Sequence, residues 1–358
     1  MMKLDTAWGF PTQLLACENC NWSFLVHTEA THSKCPNCFQ PKIHALDDPS
    51  ELISYPPEQL IPFSVSNAVL QTGLERFEKA IPYPSRDLTR HTLTQRLERI
   101  YIPKWLVDCD VEATWQAETG FNYEVVSHQE EYQSGNWRTK EITKTQIRWE
   151  LRVGTLKRHY ANIAAPALTA FSHLKNVLGA YREGESVGYE PEHARRAAIR
   201  LPDRTREDAW PEAIPPLMDA GAAECQTAAQ ADHIRDFRWE AGYTNQNWTQ
   251  RLLPMYATYY LDDDNNVCGV WINGQTGQIK GVRRASQKRA MTTALWMVGI
   301  GVGLFLASLI IFVLGALFPL FPVFGALGMI ISFVVGAGAL VPIFRAWQFN
   351  KRDRSSIE

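Results

Sequence analysis

The C-terminal part of the chain contains a long segment without a charged residue. No Asp, Glu, Lys or Arg occurs in Ala290–Phe344, whereas one membrane-spanning helix needs roughly 20 apolar residues. Pro319 and Pro322 interrupt this segment near its middle, which is typical of a tight turn between two antiparallel helices. A buried helix pair of a soluble protein would show a polar stripe, and these helices have none. We therefore predict a two-helix transmembrane hairpin with spans Leu295–Leu317 and Val323–Phe344.

Basic residues lie on both sides of this hairpin. They are Lys280, Arg283, Arg284, Lys288 and Arg289 before the first span, and Arg345, Lys351, Arg352 and Arg354 after the second. Because cytoplasmic flanks collect Lys and Arg, we expect a two-span protein of the cytoplasmic (inner) membrane with both termini in the cytoplasm. The first twenty residues show no secretory signal pattern. Residues 283–294 are then a basic juxtamembrane segment, residues 295–344 the hairpin and residues 345–358 a basic cytoplasmic tail.

Two CxxC pairs lie near the N-terminus, with fourteen residues between them. A reducing cytoplasm disfavours disulfides, so Cys17, Cys20, Cys35 and Cys38 are interpreted as four thiolate ligands of one tetrahedral Zn²⁺. A site with four protein ligands has no open position, which predicts a structural rather than a catalytic metal. The segment between the pairs alternates in polarity except at Leu25, as in a short β-hairpin. We expect residues 1–48 to form a zinc ribbon.

The residues next to these cysteines refine the prediction. The residue after the second cysteine of such a pair usually adopts positive φ; Asn21 tolerates this conformation well and Phe39 poorly. Three histidines lie nearby, namely His27, His32 and His44. Because four cysteines already complete the coordination shell, these histidines are assigned to the protein surface. The first sixty residues hold three basic and seven acidic side chains. Nucleic-acid binding is therefore not expected, since it needs a basic face.

A proline-rich linker, residues 49–64, leads to a β-rich α+β cytoplasmic domain, residues 65–282. Two short helices are predicted first, one with Leu70, Leu74, Phe77 and Ile81 on one face, the other with Leu93, Leu97 and Ile100. Strands with period-two patterns follow at Trp105–Trp115, Phe121–Val126 and Ile147–Val153, which predicts an antiparallel sheet with one wet face. Because these apolar strands suffice for a core of their own, we expect this domain to survive loss of the zinc.

The second half of this domain has mixed signals. Residues 155–245 are interpreted as irregular and helical, with proline-broken turns before a helix near Pro216–Ala231. Strands return at Met255–Leu261, Val270–Ile272 and Gln278–Val282, and the last of these leads directly to the basic membrane flank. Asp262–Asp264 is interpreted as a solvated turn rather than a calcium loop. Cys109, on the inward face of its strand, is interpreted as a buried free thiol, and Cys225 as an isolated one. No pattern of catalytic residues is found, so we do not expect an enzyme.

Several motifs together resemble those of a known family. They are the paired CxxC, LIPF (Leu60–Phe63), YIPKW (Tyr101–Trp105), LLPMYATYY (Leu252–Tyr260) and NGQTGQIKG (Asn273–Gly281), ahead of a terminal membrane hairpin. This order resembles bacterial zinc-ribbon membrane proteins, which are often labelled, misleadingly, as primosomal or helicase-like. The resemblance covers nearly the whole chain. It implies partners among phage-shock-protein-A-like and SPFH-domain membrane proteins, a role in membrane organisation or stress, and no catalytic residues.

These observations predict a membrane-anchored, cytoplasm-facing adaptor or scaffold whose zinc ribbon is a protein-docking module. Two alternatives stay open, namely an enzyme with an unrecognised site in the β-rich domain and a nucleic-acid-binding ribbon. Glycines recur in both spans, at Gly299, Gly301 and Gly303 and at Gly325, Gly328, Gly336 and Gly338. Small residues allow close helix packing in lipid. They either pack the two helices of one chain or join the hairpin to another copy or to a partner.

Overall fold

The computed structural model describes residues 8–46, 57–314 and 321–354. Within these ranges the chain has an α+β architecture built on one mixed sheet. The strands are β1 (Thr12–Cys17), β2 (Ser23–His27), β3 (Ile43–Ala45), β4 (Gln59–Leu60), β5 (Glu98–Gln133), β6 (Asn136–Ala165), β7 (Val187–Gly188), β8 (Ala198–Arg200), β9 (His233–Leu261), β10 (Val267–Asn273) and β11 (Ile279–Gly281). The helices are α1 (Asn67–Lys79), α2 (Arg90–Gln95), α3 (Phe171–Leu178), α4 (Pro191–Ala194), α5 (Arg206–Ala228), α6 (Gln287–Leu314), α7 (Phe321–Gly338) and α8 (Leu340–Arg354).

The strands predicted from the sequence pair antiparallel as expected, but the sheet as a whole is mixed. Most neighbouring strands are antiparallel, but β4 pairs with β9 and β8 pairs with β5 in parallel. A parallel pair needs a long crossover connection. Residues 166–197, which contain α3 and α4, bring β8 back to the start of β5 and place it there in parallel.

The strands of the cysteine-rich region belong to the same sheet as the rest of the protein. Strand β2 pairs with β8, with Phe24 opposite Arg200. Strand β8 pairs in turn with β5, with Ala198 opposite Ile100. The hairpin of this region is formed by β1 and β2 around the first cysteine pair. The predicted linker lies partly outside the described residues, which resume at position 57.

The cysteine-rich region and the β-rich domain share one core. Phe24 and Val26 on one face of β2 pack in a cluster with Ile100 and Leu253 of the long strands. Leu25 lies in a second cluster on the opposite face. Both faces of β2 are therefore covered, which explains why its apolar residues do not alternate. The prediction that the β-rich domain has a separate core is therefore only partly correct. Two clusters contain residues of this domain alone, whereas another of its main clusters is completed by β2.

Strands β5, β6 and β9 extend beyond the rest of the sheet and form a three-stranded structure that we call the arm. Strand β6 pairs with β5 along nearly its whole length, and β9 pairs with β5 as far as Gly120. Past Gly120 the arm continues as a two-stranded hairpin for about 40 Å at the usual rise per residue. It reverses at Ser134 and Gly135, whose φ values of 55° and 86° suit the type I′ turn of a two-residue hairpin loop.

The arm corrects two predictions. Residues 155–165 and 233–245, interpreted as irregular or helical, are strand. The apolar residues of β6 also lie on the opposite face from the one predicted. Leu151 and Val153 are each 71% exposed, because the covering helix α5 packs against the other face of the arm. The alternation within Trp105–Trp115 is confirmed, with Leu106 as an additional buried residue.

Helix α5 covers one face of the arm with buried residues spaced four positions apart, most of which are small. They are Ala209, Ala213, Leu217, Gly221 and Cys225. The helix begins ten residues earlier than predicted and contains Pro211, Pro215 and Pro216. Prolines inside a helix remove backbone hydrogen bonds. The close packing along the whole of α5 offsets that cost, so the predicted proline-broken turns are not formed.

Helices α1 and α2 connect the sheet to the apolar C-terminal helices. Leu70, Leu74 and Phe77 of α1 are buried as predicted, in a cluster that also includes Ala290 of α6 and Ala346 of α8. The predicted second helix is shorter than expected. It ends at Gln95, so Leu97 follows it and Ile100 belongs to β5.

The turn Asp262–Asp264 fixes the start of α6, a role that the sequence analysis missed. The carboxylate of Asp263 accepts hydrogen bonds from Ser286 Oγ at 2.7 Å and from the Lys288 backbone N–H at 2.9 Å. A carboxylate at a helix N-terminus satisfies free N–H groups and complements the helix dipole. The sheet and the first apolar helix are therefore joined directly.

Two helical segments are long and apolar enough to cross a membrane, Gln287–Leu314 and Pro322–Arg352. The described parts of both predicted spans lie within these segments. Residues 315–317 of the first span and Pro319 of the predicted turn lie outside the described residues. Pro322 lies in the first turn of α7. A break at Ala339 separates α7 from α8, because Pro342 has no N–H to donate to the Gly338 carbonyl.

The glycines of the two helices have two different environments. Gly301, Gly325 and Gly328 lie at the contact between α6 and the second segment. A Cβ atom at Gly325 would lie 2.6 Å from Phe312 Cβ, and one at Gly301 would lie 3.2 Å from the Ser332 carbonyl oxygen. Gly299 and Gly303 are exposed and face open space. Packing within one chain therefore accounts for the first group and leaves the second without a contact among the described residues.

Candidate metal centre

Each CxxC pair lies in a tight turn closed by the same two backbone hydrogen bonds. The Cys17 N–H donates to the Trp22 carbonyl, and the Cys17 carbonyl accepts from the Asn21 N–H, both at 2.9 Å. The second turn repeats both bonds at the same distances with Cys35, Phe39 and Gln40. The two turns thus have matching hydrogen-bond patterns, which direct both cysteine side chains of each turn to one side.

The residue after the second cysteine is left-handed in both turns. Asn21 has φ 53° and Phe39 has φ 59°. For a bulky residue this conformation is uncommon and costs free energy. Phe39 is 4% exposed, and its ring stacks on Tyr259 of β9 with centroids 4.7 Å apart. Packing against the long strands therefore accommodates the bulky Phe39 at a position that usually holds a small residue, and the turn keeps its geometry.

These turns bring all four predicted ligands together. The Sγ atoms of Cys17 and Cys38 are 3.5 Å apart, and those of Cys20 and Cys35 are 3.6 Å apart. All four sulfur atoms lie within 4.8 Å of one another, and the group can hold a metal ion. Cys17 and Cys35 are buried, whereas Cys20 and Cys38 are partly exposed.

Without a metal, the four thiols cannot all be ionised at such short separations. The hydrogen bond from Cys35 is the main cause that lowers the pKa of Cys20 to about 4, and the Asn37 backbone N–H, 3.4 Å from Cys35 Sγ, adds a donor to the group. The same Cys20–Cys35 hydrogen bond, together with burial, raises the pKa of Cys35 above its ordinary value. A bound cation removes this conflict, because it stabilises all four thiolates at once.

A buried arginine lies beside the cysteine group. Arg200 of β8 is 4% exposed, and its guanidinium lies 4.9 Å from the ring centroid of Trp22. It donates to the Ser23 carbonyl at 3.0 Å and to Asp203 at 2.8 Å. Burial lowers the pKa of Arg200, and the charges of Asp203, Cys20 and Cys35 act in the opposite direction. Arg200 is therefore placed to offset part of the negative charge of a four-thiolate site.

The three histidines of this region lie outside the four-thiol group. His27 accepts a hydrogen bond from the Glu29 N–H, and His44 lies 3.8 Å from Glu18. His32 is less exposed than predicted, because its side chain is 16% exposed and its Nδ1 lies 3.6 Å from Glu98. Sequence reasoning also missed Arg200 and Tyr259. An arginine within the short apolar run Ala197–Leu201 is the signal that could have identified the first.

Comparison with known proteins adds no assignment to this geometry. No family model, no curated protein and no solved structure matches the chain.

Proposed function

We propose that the four cysteines bind one structural Zn²⁺. With Zn–S bonds of about 2.3 Å, a regular tetrahedron has sulfur–sulfur edges of about 3.8 Å. The closest pairs of sulfur atoms, at 3.5 and 3.6 Å, need only small movements to reach that geometry. Four thiolates complete the coordination shell, so the proposed role of the ion is to hold β1, β2 and the Phe39 turn against the long strands.

We propose that the chain is a membrane-anchored adaptor that faces the cytoplasm. Two apolar helical segments support anchoring, and basic residues at both flanks support the cytoplasmic orientation. The observation that carries the adaptor role is the arm. Its tip, at Ser134 and Gly135, lies just beyond one end of β5. At the other end, near Glu98, β5 pairs with the C-terminal part of β9, and the chain continues from there through β10 and β11 to α6.

The arm has an exposed apolar surface suited to a protein partner. On the face opposite α5, Ile147, Leu151 and Val153 are 40%, 71% and 71% exposed, and we call these three residues the arm face. Exposed apolar patches on otherwise polar surfaces mark interaction sites. Among the described residues, strand β6 pairs only with β5 and is therefore an edge strand, a feature that favours pairing with another chain. The proposed docking surface is therefore the arm face rather than the ribbon.

The environment of the ribbon supports this choice over the alternatives. Phe24, Leu25 and Val26 are fully buried, so β2 has no free face for a nucleic acid or a partner. The proposed partners are other membrane proteins, phage-shock-protein-A-like or SPFH-domain proteins among them, or a second copy of the chain. Gly299 and Gly303 support a contact inside the bilayer, because small outward-facing residues allow a second helix to approach closely.

Cysteine labelling of intact cells tests the orientation. A membrane-impermeant maleimide is expected to label a cysteine introduced at Phe321, between the two segments, and to miss cysteines introduced at Ser134 or Ser355. The reason is that both positively charged flanks stay in the cytoplasm. Permeabilised cells provide the control, since all three sites should then react. Labelling of Ser134→Cys or Ser355→Cys in intact cells would show that the orientation is reversed.

A further inference from the structure

Two buried cations lie directly opposite each other in the centre of the sheet. Lys104 of β5 and Arg251 of β9 are register partners, so their side chains project from the same face. They are only 8% and 5% exposed. Like charges directly opposite each other on neighbouring strands are destabilising, and burial adds a desolvation cost. Such a pair needs negative partners.

One carboxylate serves both cations. Glu183 accepts from Lys104 Nζ with one oxygen, at 2.5 Å, and from Arg251 with the other, at 2.9 Å. The remaining partner of Arg251 is the neutral amide oxygen of Gln59, at 2.6 and 3.0 Å. The cluster therefore keeps an excess of one positive charge. The Glu183 side chain is 44% exposed, so it is the accessible and displaceable member.

This cluster forms the polar end of a cavity of about 650 Å³. Lys104 and Glu183 line that end, whereas the walls are mainly apolar, with Ile102, Leu174, Leu178 and Leu253 among them. Two further charged residues line the cavity. Glu212 is paired with Arg204, and Lys175 is exposed at the rim. A largely apolar cavity of this size with a few convergent polar groups is the usual form of a small-ligand site.

The turn of the NGQTGQIKG motif holds one wall of the cavity. Buried Asn273 donates to the Leu178 carbonyl at 3.0 Å. Buried Gln275 donates to the Arg182 carbonyl at 3.1 Å and accepts from the Arg182 N–H at 2.7 Å. The Glu183 segment is thus fixed by the turn that precedes β11, and β11 ends six positions before membrane helix α6.

We propose that this cavity binds a single-chain anionic amphiphile, with its acid group at Lys104 and its acyl chain along the apolar walls. The acid group supplies the second negative charge that the Lys104–Arg251 pair lacks. Apolar residues of α3, β5 and β9 line the cavity beside Lys104, and these residues would contact the acyl chain. A neutral chain of the same length lacks the ionic contact and binds more weakly.

Photo-crosslinking of the full-length protein in phosphatidylcholine nanodiscs tests this site. The probe is hexadecanoate with a diazirine in mid-chain, and labelled peptides are mapped by mass spectrometry. Label is expected in Phe171–Leu178 or at Ile102. Lys104→Met is expected to reduce that label tenfold or more, the scale of a lost charge-assisted hydrogen bond. Leu174→Trp, which fills the cavity, is expected to abolish it.

Matched controls separate the site from general lipid contact. Lys175→Met, a change at the exposed rim, is expected to leave the label within twofold. The neutral diazirine analogue of hexadecanol lacks the acid group. In the unmodified protein it is expected to label the cavity only as weakly as hexadecanoate labels the Lys104→Met variant. Competition with unlabelled hexadecanoate or a monoacyl glycerol phosphate distinguishes a fatty acid from a lysophospholipid as the source of the chain. Label confined to α6 and α7, label unchanged by Lys104→Met, or competition by neither amphiphile would overturn the proposal.

Discussion

Replacing Cys35 with alanine is expected to destabilise the protein well beyond the metal centre. Binding of a structural zinc contributes on the order of 10 kcal/mol in small domains, and Cys35 is fully buried in a cluster that includes Ile100 and Leu253. Hydrogen exchange followed by mass spectrometry should show faster exchange in β1 and β2. It should also show faster exchange in β8 and in the part of β9 that contains Leu253, because these strands share that core.

Cys225→Ala provides the matched control. Cys225 is also buried, at 3% exposure, and loses the same atom, but it lies in α5 and outside the four-thiol group. Its loss is expected to cost about 1 kcal/mol, the scale for a small deletion in a core, with faster exchange limited to α5 and the arm. Exchange that rises only within residues 12–45 of the Cys35→Ala variant would show that the metal centre is a separate folding unit.

Substitution of the arm face is expected to release a protein partner without unfolding the arm. In Leu151→Thr/Val153→Thr, both side chains lose apolar surface that a partner would cover. Threonine keeps the β-branched shape that suits a strand. Both residues are 71% exposed, so the stability of the isolated protein should change little. The measurement is the stoichiometry of proteins that co-purify with the full-length chain in mild detergent.

Arg152→Thr, between these two positions and on the opposite face of β6, is the control for this experiment. It should retain any partner that the unmodified protein retains. A partner bound equally by the double variant and by the unmodified chain would exclude the arm face as the docking surface. Loss of self-association alone would identify the partner as a second copy.

The parts of the structure that the sequence predicts well are those with a strong local pattern. Two CxxC pairs identify the four-thiol group, because this ligand type and spacing suit one tetrahedral metal ion. The charge-free segment identifies the two apolar helices, because no polar residue interrupts it. Period-two alternation identifies Trp105–Trp115, where α5 covers one face and solvent the other.

The parts that the sequence does not predict depend on distant contacts. The arm strands at residues 155–165 and 233–245 have few buried side chains, so their pattern does not distinguish strand from coil. The three prolines of α5 indicate turns, yet packing of its small residues against the arm keeps the helix continuous. Phe39 is unfavourable by local preference, and only its stacking on Tyr259, 220 positions away in the chain, explains it.

The charged cavity shows the same limit. Lys104 within YIPKW is visible in the sequence as a lysine between apolar residues. The sequence does not show that Arg251 lies opposite Lys104 or that Glu183 binds both cations. These contacts depend on the register of β5 and β9 and on the NGQTGQIKG turn. A lysine or arginine inside an apolar strand is thus a signal worth following, but its partner cannot be read from local pattern.

Elemental analysis of the purified protein tests the central claim most directly. Full-length protein prepared under reducing conditions without chelator is expected to contain one zinc ion per chain, and the Cys35→Ala variant is expected to lose it. Cys225→Ala should retain the full content. Zinc content near zero in the unmodified protein, or equal zinc content in the unmodified protein and the Cys35→Ala variant, would contradict the assignment of these four cysteines to a structural zinc site.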